Sequence, residues 1–174
     1  MDKPDSFTAF EILYWCGLRV GEMLALTPTD IDLDRSTISV TKSYQRLRGR
    51  DVVTEPKTKK SVRTVVMPKF LAEEVAEYMA LIGAGRHERL FPFTKGRMHH
   101  EMDRGCQASG VKRIRVHDLR HSHVSLLIDM GFSAVAIADR VGHESADITY
   151  RYAHMFPDVQ HDMASALEAG RGRS

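Results

Sequence analysis

Apolar residues recur at helical spacing near the start of the chain: Phe7, Phe10, Ile12, Leu13 and Tyr14 come first, and Met23, Leu24 and Leu26 follow Gly21. The pattern predicts two helices over residues 7–26, broken near Gly17. Residues 27–34, rich in Asp and holding Pro28, read as a connector. Residues 37–43, 51–54 and 62–67 are enriched in β-branched side chains and are separated by polar turns around Arg48-Gly49-Arg50 and from Lys57 to Ser61. A small three-stranded antiparallel sheet is the economical arrangement of such segments. Pro68 suits a first helical turn and Gly83 a stop, which predicts a helix over 68–82, and everything beyond it reads as helical. Further helices are expected near 97–108, 117–130, 133–142 and 145–154, with a last one over 157–167. Ser133 and Ser145 are natural N-caps, while Gly131 and Gly142 suit helix ends. The fold class is therefore α+β, mainly helical with one small sheet.

Composition changes this picture little. With 174 residues, 43% hydrophobic and 28% charged, the chain suits one globular domain, taken here as residues 1–169 with 170–174 as a loose tail. A formal net charge of +2 permits a nucleic-acid partner without demanding one, because the placement of basic groups matters more than their sum. Cys16 and Cys106 offer neither a disulfide framework nor a thiolate metal site. No apolar run is long enough to cross a bilayer and no secretion signal opens the chain, so a cytoplasmic protein without a membrane partner is expected.

The helix predicted from His117 carries the first chemistry. On a wheel of 100° per residue, Leu119, His123, Leu126, Leu127 and Met130 form one stripe, and His117 with Arg120 lies nearly opposite. Val124 and Ile128 continue the second face, so the helix is expected to be buried on both sides and to meet a ligand only at its first turn. That end, with unpaired N–H groups and the positive end of the helix dipole, favours phosphate. A lone His-x-x-Arg pair is common in proteins that bind nothing. The spacing of His117 and His121 also matches two zinc ligands, but the zinc-protease pattern needs Glu where Asp118 stands and no clear third ligand follows, so no metal is expected. His123, on the apolar stripe, reads as a core or boundary histidine.

Arg19 follows the break at Gly17 and precedes Gly21-Glu22, where a tight bend would aim its guanidinium inward while Glu22 holds it in a bidentate contact. An exposed pair three apart on a helix is the plain alternative. Two permanently charged planar donors from distant parts of the chain, Arg19 and Arg120, form a natural clamp for the extra negative charge of a phosphoryl-transfer transition state. Pro56-Lys57-Thr58-Lys59-Lys60 forms a basic turn whose lysines are solvated groups or, if one is depressed in pKa by cationic neighbours, a general acid. Gly142-His143 is followed nine residues later by Tyr152, with Tyr150 two positions before it. Taken alone, either tyrosine reads as core packing.

Taken together, Gly17-Leu18-Arg19-Val20-Gly21-Glu22, Lys57, His117-Asp118-Leu119-Arg120, Gly142-His143 and Tyr152 form an ordered series that resembles the catalytic half of tyrosine recombinases, the phage and transposon integrase family. The resemblance implies the fold of the DNA breaking-rejoining enzymes, double-stranded DNA as partner, no cofactor, and a site-specific recombinase. Its catalytic set would be Arg19, Lys57, His117, Arg120, His143 and Tyr152, supported by Glu22. It selects Tyr152 over Tyr150 as nucleophile and favours Lys57 as acid, with Lys59 left open. Sequence preference is expected from basic residues outside the motifs, among them Lys42, Arg46, Arg48, Arg50, Lys59, Lys60 and Arg113. Residues 157–167 carry Val159, Met163, Ala166 and Leu167 on one helical face, which in similar integrases docks on a neighbouring protomer; packing on its own domain is the alternative. Similar integrases also carry an N-terminal DNA-clamping domain, so a fragment is expected here. Two other readings share many of these residues: a type IB topoisomerase, and a DNA-binding remnant that no longer cuts.

Overall fold

A computed structural model describes residues 3–55, 61–143, 152 and 160–171. Helix α1 (Pro4–Cys16) ends on Gly17 in the left-handed conformation, φ 63°, and a five-residue helix α2 (Val20–Leu24) restarts after the break. Gly17 is required twice over. Its φ disfavours a side chain, and an added Cβ would run into the ring of His123. The expected pair of helices is thus present, beginning three residues earlier than the apolar pattern shows.

The sheet differs in membership from the expectation. Strands β1 (Ile31–Asp32), β2 (Thr37–Val40) and β5 (Arg63–Val66) form one three-stranded antiparallel sheet in the order β1-β2-β5. Strands β3 (Ser43–Leu47) and β4 (Arg50–Thr54) form a separate hairpin. Residues 37–43 therefore do not make one strand: they break after Val40, and Ser43 opens the hairpin. The break lets each unit face the core independently. Ile38, Val40 and Val65 are buried from the sheet and Tyr44 from the hairpin. The hairpin reverses through Arg48 and Gly49, both at positive φ. Its base is fixed where Tyr44 donates to Asp51 at 2.9 Å and the Arg89 guanidinium lies 4.2 Å from the Tyr44 ring centroid. The third strand of the sheet lies in the stretch read as connector, where a single turn at Pro28–Asp30 precedes two paired residues.

Helix α3 (Lys69–Ile82) matches the expectation, with Gly83 as its left-handed C-cap. The chain is not helical directly afterwards. Residues 84–94, broken by Gly85 and Pro92, fill the core with Leu90, Phe91 and Phe93, and Phe91 stacks on Tyr78 at 5.3 Å between centroids. Helices α4 (Lys95–Ser109), α5 (Asp118–Asp129) and α6 (Ala134–Val141) follow, and Ser133 caps α6 by accepting from the Ala136 N–H at 3.3 Å. The expected helix at 145–154 lies outside the described residues except for Tyr152, which sits in a turn. Helix α7 (Gln160–Arg171) takes in Gly170 and Arg171, so the helix runs into the segment read as tail. Among the described residues no helix is long and apolar enough to cross a membrane.

Most of the core lies between α1, α2, the sheet, α3 and the 84–94 segment. A second cluster joins Val124 and Ile128 of α5 to Ile137 and Val141 of α6, with Leu127 and Tyr152 packed against it. The buried face of α5 is thus the one bearing Arg120, His123, Val124 and Ile128, while Met130, from the stripe expected inside, is exposed. Arg120 is drawn inward because α1 and α6 both present backbone carbonyls to it, which is the arrangement that builds the site.

Candidate active site

Arg19 is the N-cap of α2, and Glu22 completes a capping box with it. The Glu22 carboxylate accepts the Arg19 N–H at 2.8 Å through one oxygen and the Arg19 guanidinium at 2.8 Å through the other. The bidentate partner of Glu22 is instead Arg63, at the start of β5, whose two terminal nitrogens reach the carboxylate at 2.9 and 3.2 Å. Burial works against ionisation of Glu22, but the hydrogen bonds and charge of Arg63, with the bonds from Arg19, outweigh it and hold the carboxyl below its ordinary pKa. Arg19 remains 40% exposed at its side chain and also donates to the Gly142 carbonyl at 3.0 Å.

Arg120 donates to the Gly17 carbonyl at 2.6 Å and to the Val141 carbonyl at 2.5 Å, from a position 4% exposed. Burial, with the charge of Arg19 next, pulls its guanidinium down to about 9, which leaves it cationic at neutral pH. Arg19 and Arg120 therefore grip consecutive carbonyls immediately before His143. Gly142, at φ 67°, ends α6 in a Schellman turn in which the His143 N–H bonds the Ala138 carbonyl at 2.9 Å. Burial and then the charges of Arg120, Arg19 and Arg63 lower the His143 pKa to about 4, so its ring is neutral at pH 7.

His117 is the N-cap of α5, and Asp118 beside it pairs with Arg115 at 2.8 Å. Burial, followed by the charges on His121 and Arg120, lowers the His117 pKa. The rings of His117 and His121 meet edge to face, 4.8 Å between centroids. His121 Nδ1 in turn shares a hydrogen bond with the Tyr152 hydroxyl. Tyr152 also acts electrostatically on Arg120, which places the phenol at the same centre. The structure thus gathers Arg19, Glu22, His117, Arg120, His143 and Tyr152. Lys57, Lys59 and Lys60 lie outside the described residues.

Three residues at the site were missed in the sequence. His121 was visible only as a metal-spaced partner of His117, although four residues along a helix also places it on the same face. Arg63 alternates with Val65 on the inward side of β5, a charged residue where an apolar one belongs. Arg140 braces the back of the site, donating to the Trp15 and Val66 carbonyls at 3.1 Å each and to His123 Nε2 at 3.1 Å. His123 is the buried histidine expected from its stripe.

The residues named for DNA contact differ in how they are engaged. Lys42 pairs with Asp30 at 2.7 Å and bonds Thr27 at 3.0 Å. Arg46 faces Asp51 at 3.7 Å and Arg113 pairs with Asp103, both in exposed ion pairs that a phosphate can compete for. Arg48 and Arg50 are exposed at the hairpin tip.

His123 makes stability depend on acidity. Burial and the charge of Arg140 lower its pKa to about 4, against about 6.5 in an unfolded chain. Between these values the unfolded state binds a proton that the folded state refuses, so stability present above about pH 6.5 is lost as the pH falls. His143 adds in the same direction. The melting temperature should drop between about pH 7 and about pH 5, above the range in which ordinary carboxylates titrate. His123→Gln, which keeps an acceptor for Arg140 without titrating, should make that drop shallower; an unchanged slope would show that His123 is not its source.

Residues 3–158 match the model of the phage integrase family. The chain is 38% identical over 177 residues to the ICEBs1 integrase of Bacillus subtilis, covering 92% of this chain and 48% of that protein. It is 31% identical over 149 residues to tyrosine recombinase XerA of Thermococcus kodakarensis, covering 81% of this chain and 48% of the relative. In structure it is similar to the Tn1549 transposon integrase solved with a circular intermediate DNA, with a TM-score of 0.77 at 20% identity over 94% of this chain and 57% of that one. A crystal structure of XerA recombinase aligns with a TM-score of 0.71 at 21% identity, over 95% and 57%. The chain belongs to the phage integrase family and has the tyrosine recombinase catalytic-domain fold. It spans about half the length of the curated relatives it matches.

Proposed function

We propose that this chain is the catalytic domain of a site-specific DNA recombinase that cuts and rejoins double-stranded DNA through a covalent 3′-phosphotyrosyl intermediate. The observation that carries this reading is the convergence of Arg19 and Arg120 on the carbonyls before His143, with the Tyr152 hydroxyl bonded to the residue adjoining Arg120. Each guanidinium has five N–H donors and, among the described residues, commits two to the contacts above, so that others can serve the non-bridging oxygens of a scissile phosphate. The Tyr152 oxygen attacks phosphorus, the bond from phosphorus to the 5′ oxygen breaks, and Lys57 supplies the proton that this oxygen takes up. The phenolic proton passes to His121, its bonded partner, while His117, a ring away, stabilises the charge that forms. Neutral His143 donates a hydrogen bond to a non-bridging oxygen. Attack by the 5′ hydroxyl of a second strand reverses the step and rejoins DNA, with neither ATP nor metal entering the balance.

The family supports this chemistry: one relative is named an integrase, another a tyrosine recombinase. The Gly-Leu-Arg-x-Gly-Glu and Gly-His wording favours recombination over a type IB topoisomerase, and the assembled site disfavours a remnant that only binds. Helix α7 exposes Met163 and Leu167, which supports docking on another protomer of a synaptic complex. A nicked duplex from either flank of the parent gene tests the reading. Incubation with the protein and a chelator should leave an SDS-resistant covalent adduct at the nick; a salt-sensitive gel shift without any adduct would make the chain a DNA-binding module and overturn the proposal.

A further inference from the structure

We propose that Arg63 is a positioning residue for strand cleavage, setting the phosphate clamp through Glu22 and through the Gly142 turn. This rests on the recombinase reading above and goes beyond its catalytic set. Arg63 does not meet DNA itself. Its side chain and that of Glu22 are each 6% exposed, whereas the Arg19 side chain between them and solvent is 40% exposed.

The contacts explain what the buried guanidinium does. Two of its nitrogens take both Glu22 oxygens, its Nε donates to the Arg140 carbonyl at 2.9 Å, and one terminal nitrogen also reaches the Ser61 carbonyl at 3.3 Å. Among the described residues Glu22 therefore accepts four hydrogen bonds, two from Arg63 and two from Arg19, as many as the lone pairs of a carboxylate take. With its charge balanced from behind, Glu22 orients Arg19 without drawing it inward, and Arg19 can span to Gly142. The same guanidinium packs on the Gly142 turn so closely that an added Cβ would sit 3.0 to 3.2 Å from its Nη1, Cδ and Cζ atoms. One side chain from β5 thereby fixes both ends of the Arg19 contact, the carboxylate at one end and the carbonyl before His143 at the other.

Among the described residues, removing Arg63 leaves Arg19 as the one cation hydrogen-bonded to the buried carboxylate. The attraction then pulls Arg19 towards Glu22 and away from the place where phosphate charge develops. Such a displacement acts on the transition state more than on DNA binding, which many phosphate contacts share. A general loss of structure would lower both.

The test uses the nicked-duplex adduct assay in single turnover at saturating DNA, with DNA affinity and melting temperature measured alongside. Arg63→Gln should slow adduct formation roughly 100-fold, the scale of a small misplacement at a reacting centre, while DNA affinity is retained. In an Arg19→Lys background the same substitution should cost nothing further, because the group through which it acts is already altered. Arg63→Lys, which keeps the charge but not the two-pronged hold, should fold and recover part of the rate. If Arg63→Gln does not melt cooperatively, Arg63→Lys decides the matter: a wild-type rate overturns the proposal and a slowed rate at unchanged affinity supports it. A wild-type rate in Arg63→Gln, a loss that multiplies with Arg19→Lys, or a loss that only tracks DNA affinity overturns the positioning role while leaving the recombinase reading intact. No adduct from the wild-type chain would sink the recombinase reading, and this inference with it.

Discussion

Tyr152→Phe should abolish the covalent adduct while leaving the protein folded and able to bind DNA. The ring of Tyr152 packs against the cluster of Val124, Ile128, Ile137 and Val141, and phenylalanine keeps that packing. The substitution removes the hydroxyl with its bond to His121, at a stability cost of about 1 kcal/mol. The catalytic cost is of a different order, because no other group can form the phosphotyrosyl bond; deleting a covalent nucleophile costs on the order of 10⁶-fold in rate. Tyr150→Phe should retain the adduct. Measured by SDS gel on the nicked duplex, the opposite pattern would move the nucleophile to Tyr150 and remove the main reason for treating Tyr152 as part of the site. His121→Phe should give an intermediate result, slower than wild type because the phenol loses its proton acceptor but keeps its cationic surroundings.

Residues whose role is local in sequence could be read directly. Gly17 marks a helix break because a left-handed residue there is a local event, and the Gly142 cap and the pairing of Arg19 with Glu22 follow from spacing in the same way, although the Arg19 side chain stays 40% exposed where an inward aim is expected. What the sequence hid depends on long-range pairing. Ile31 and Asp32 look like connector because two residues carry no periodicity, and only pairing with Ile38 and Thr37 makes them a strand. Residues 37–43 look like one strand because nothing in their β-branched character marks a change of partner after Val40. On α5 the face of Val124 and Ile128 is buried as its pattern implies, but the Leu and Met stripe is not fully inside: the carbonyls of Gly17 and Val141 draw Arg120 inward, and Met130 is left exposed. Arg63 and His121 were passed over for the same reason: their partners, Glu22 and Tyr152, lie 41 and 31 residues away.

The two clamp arginines should respond differently to the same conservative change. Arg120 is 4% exposed and bridges α1 to the end of α6 through the Gly17 and Val141 carbonyls. Lysine keeps the positive charge but concentrates its donors at one point, so it cannot serve both carbonyls in the planar geometry that guanidinium provides. Arg120→Lys should therefore lose stability as well as rate: about 2 to 3 kcal/mol, from a buried carbonyl left without its charged donor. For a domain of this size that is a fall in melting temperature of roughly 5 to 10 °C. The adduct rate should fall on the order of 10³-fold, the usual scale for removing a preorganised donor from developing charge. Arg19, more exposed and held by Glu22 through its backbone N–H as well as its guanidinium, should lose rate in Arg19→Lys with little change in melting temperature. Thermal melts and single-turnover adduct rates on the two variants separate these effects. Equal melting losses would mean that Arg19 carries as much of the fold as Arg120. A full rate in Arg120→Lys would mean that the buried guanidinium holds the helices together and leaves the phosphate to other groups.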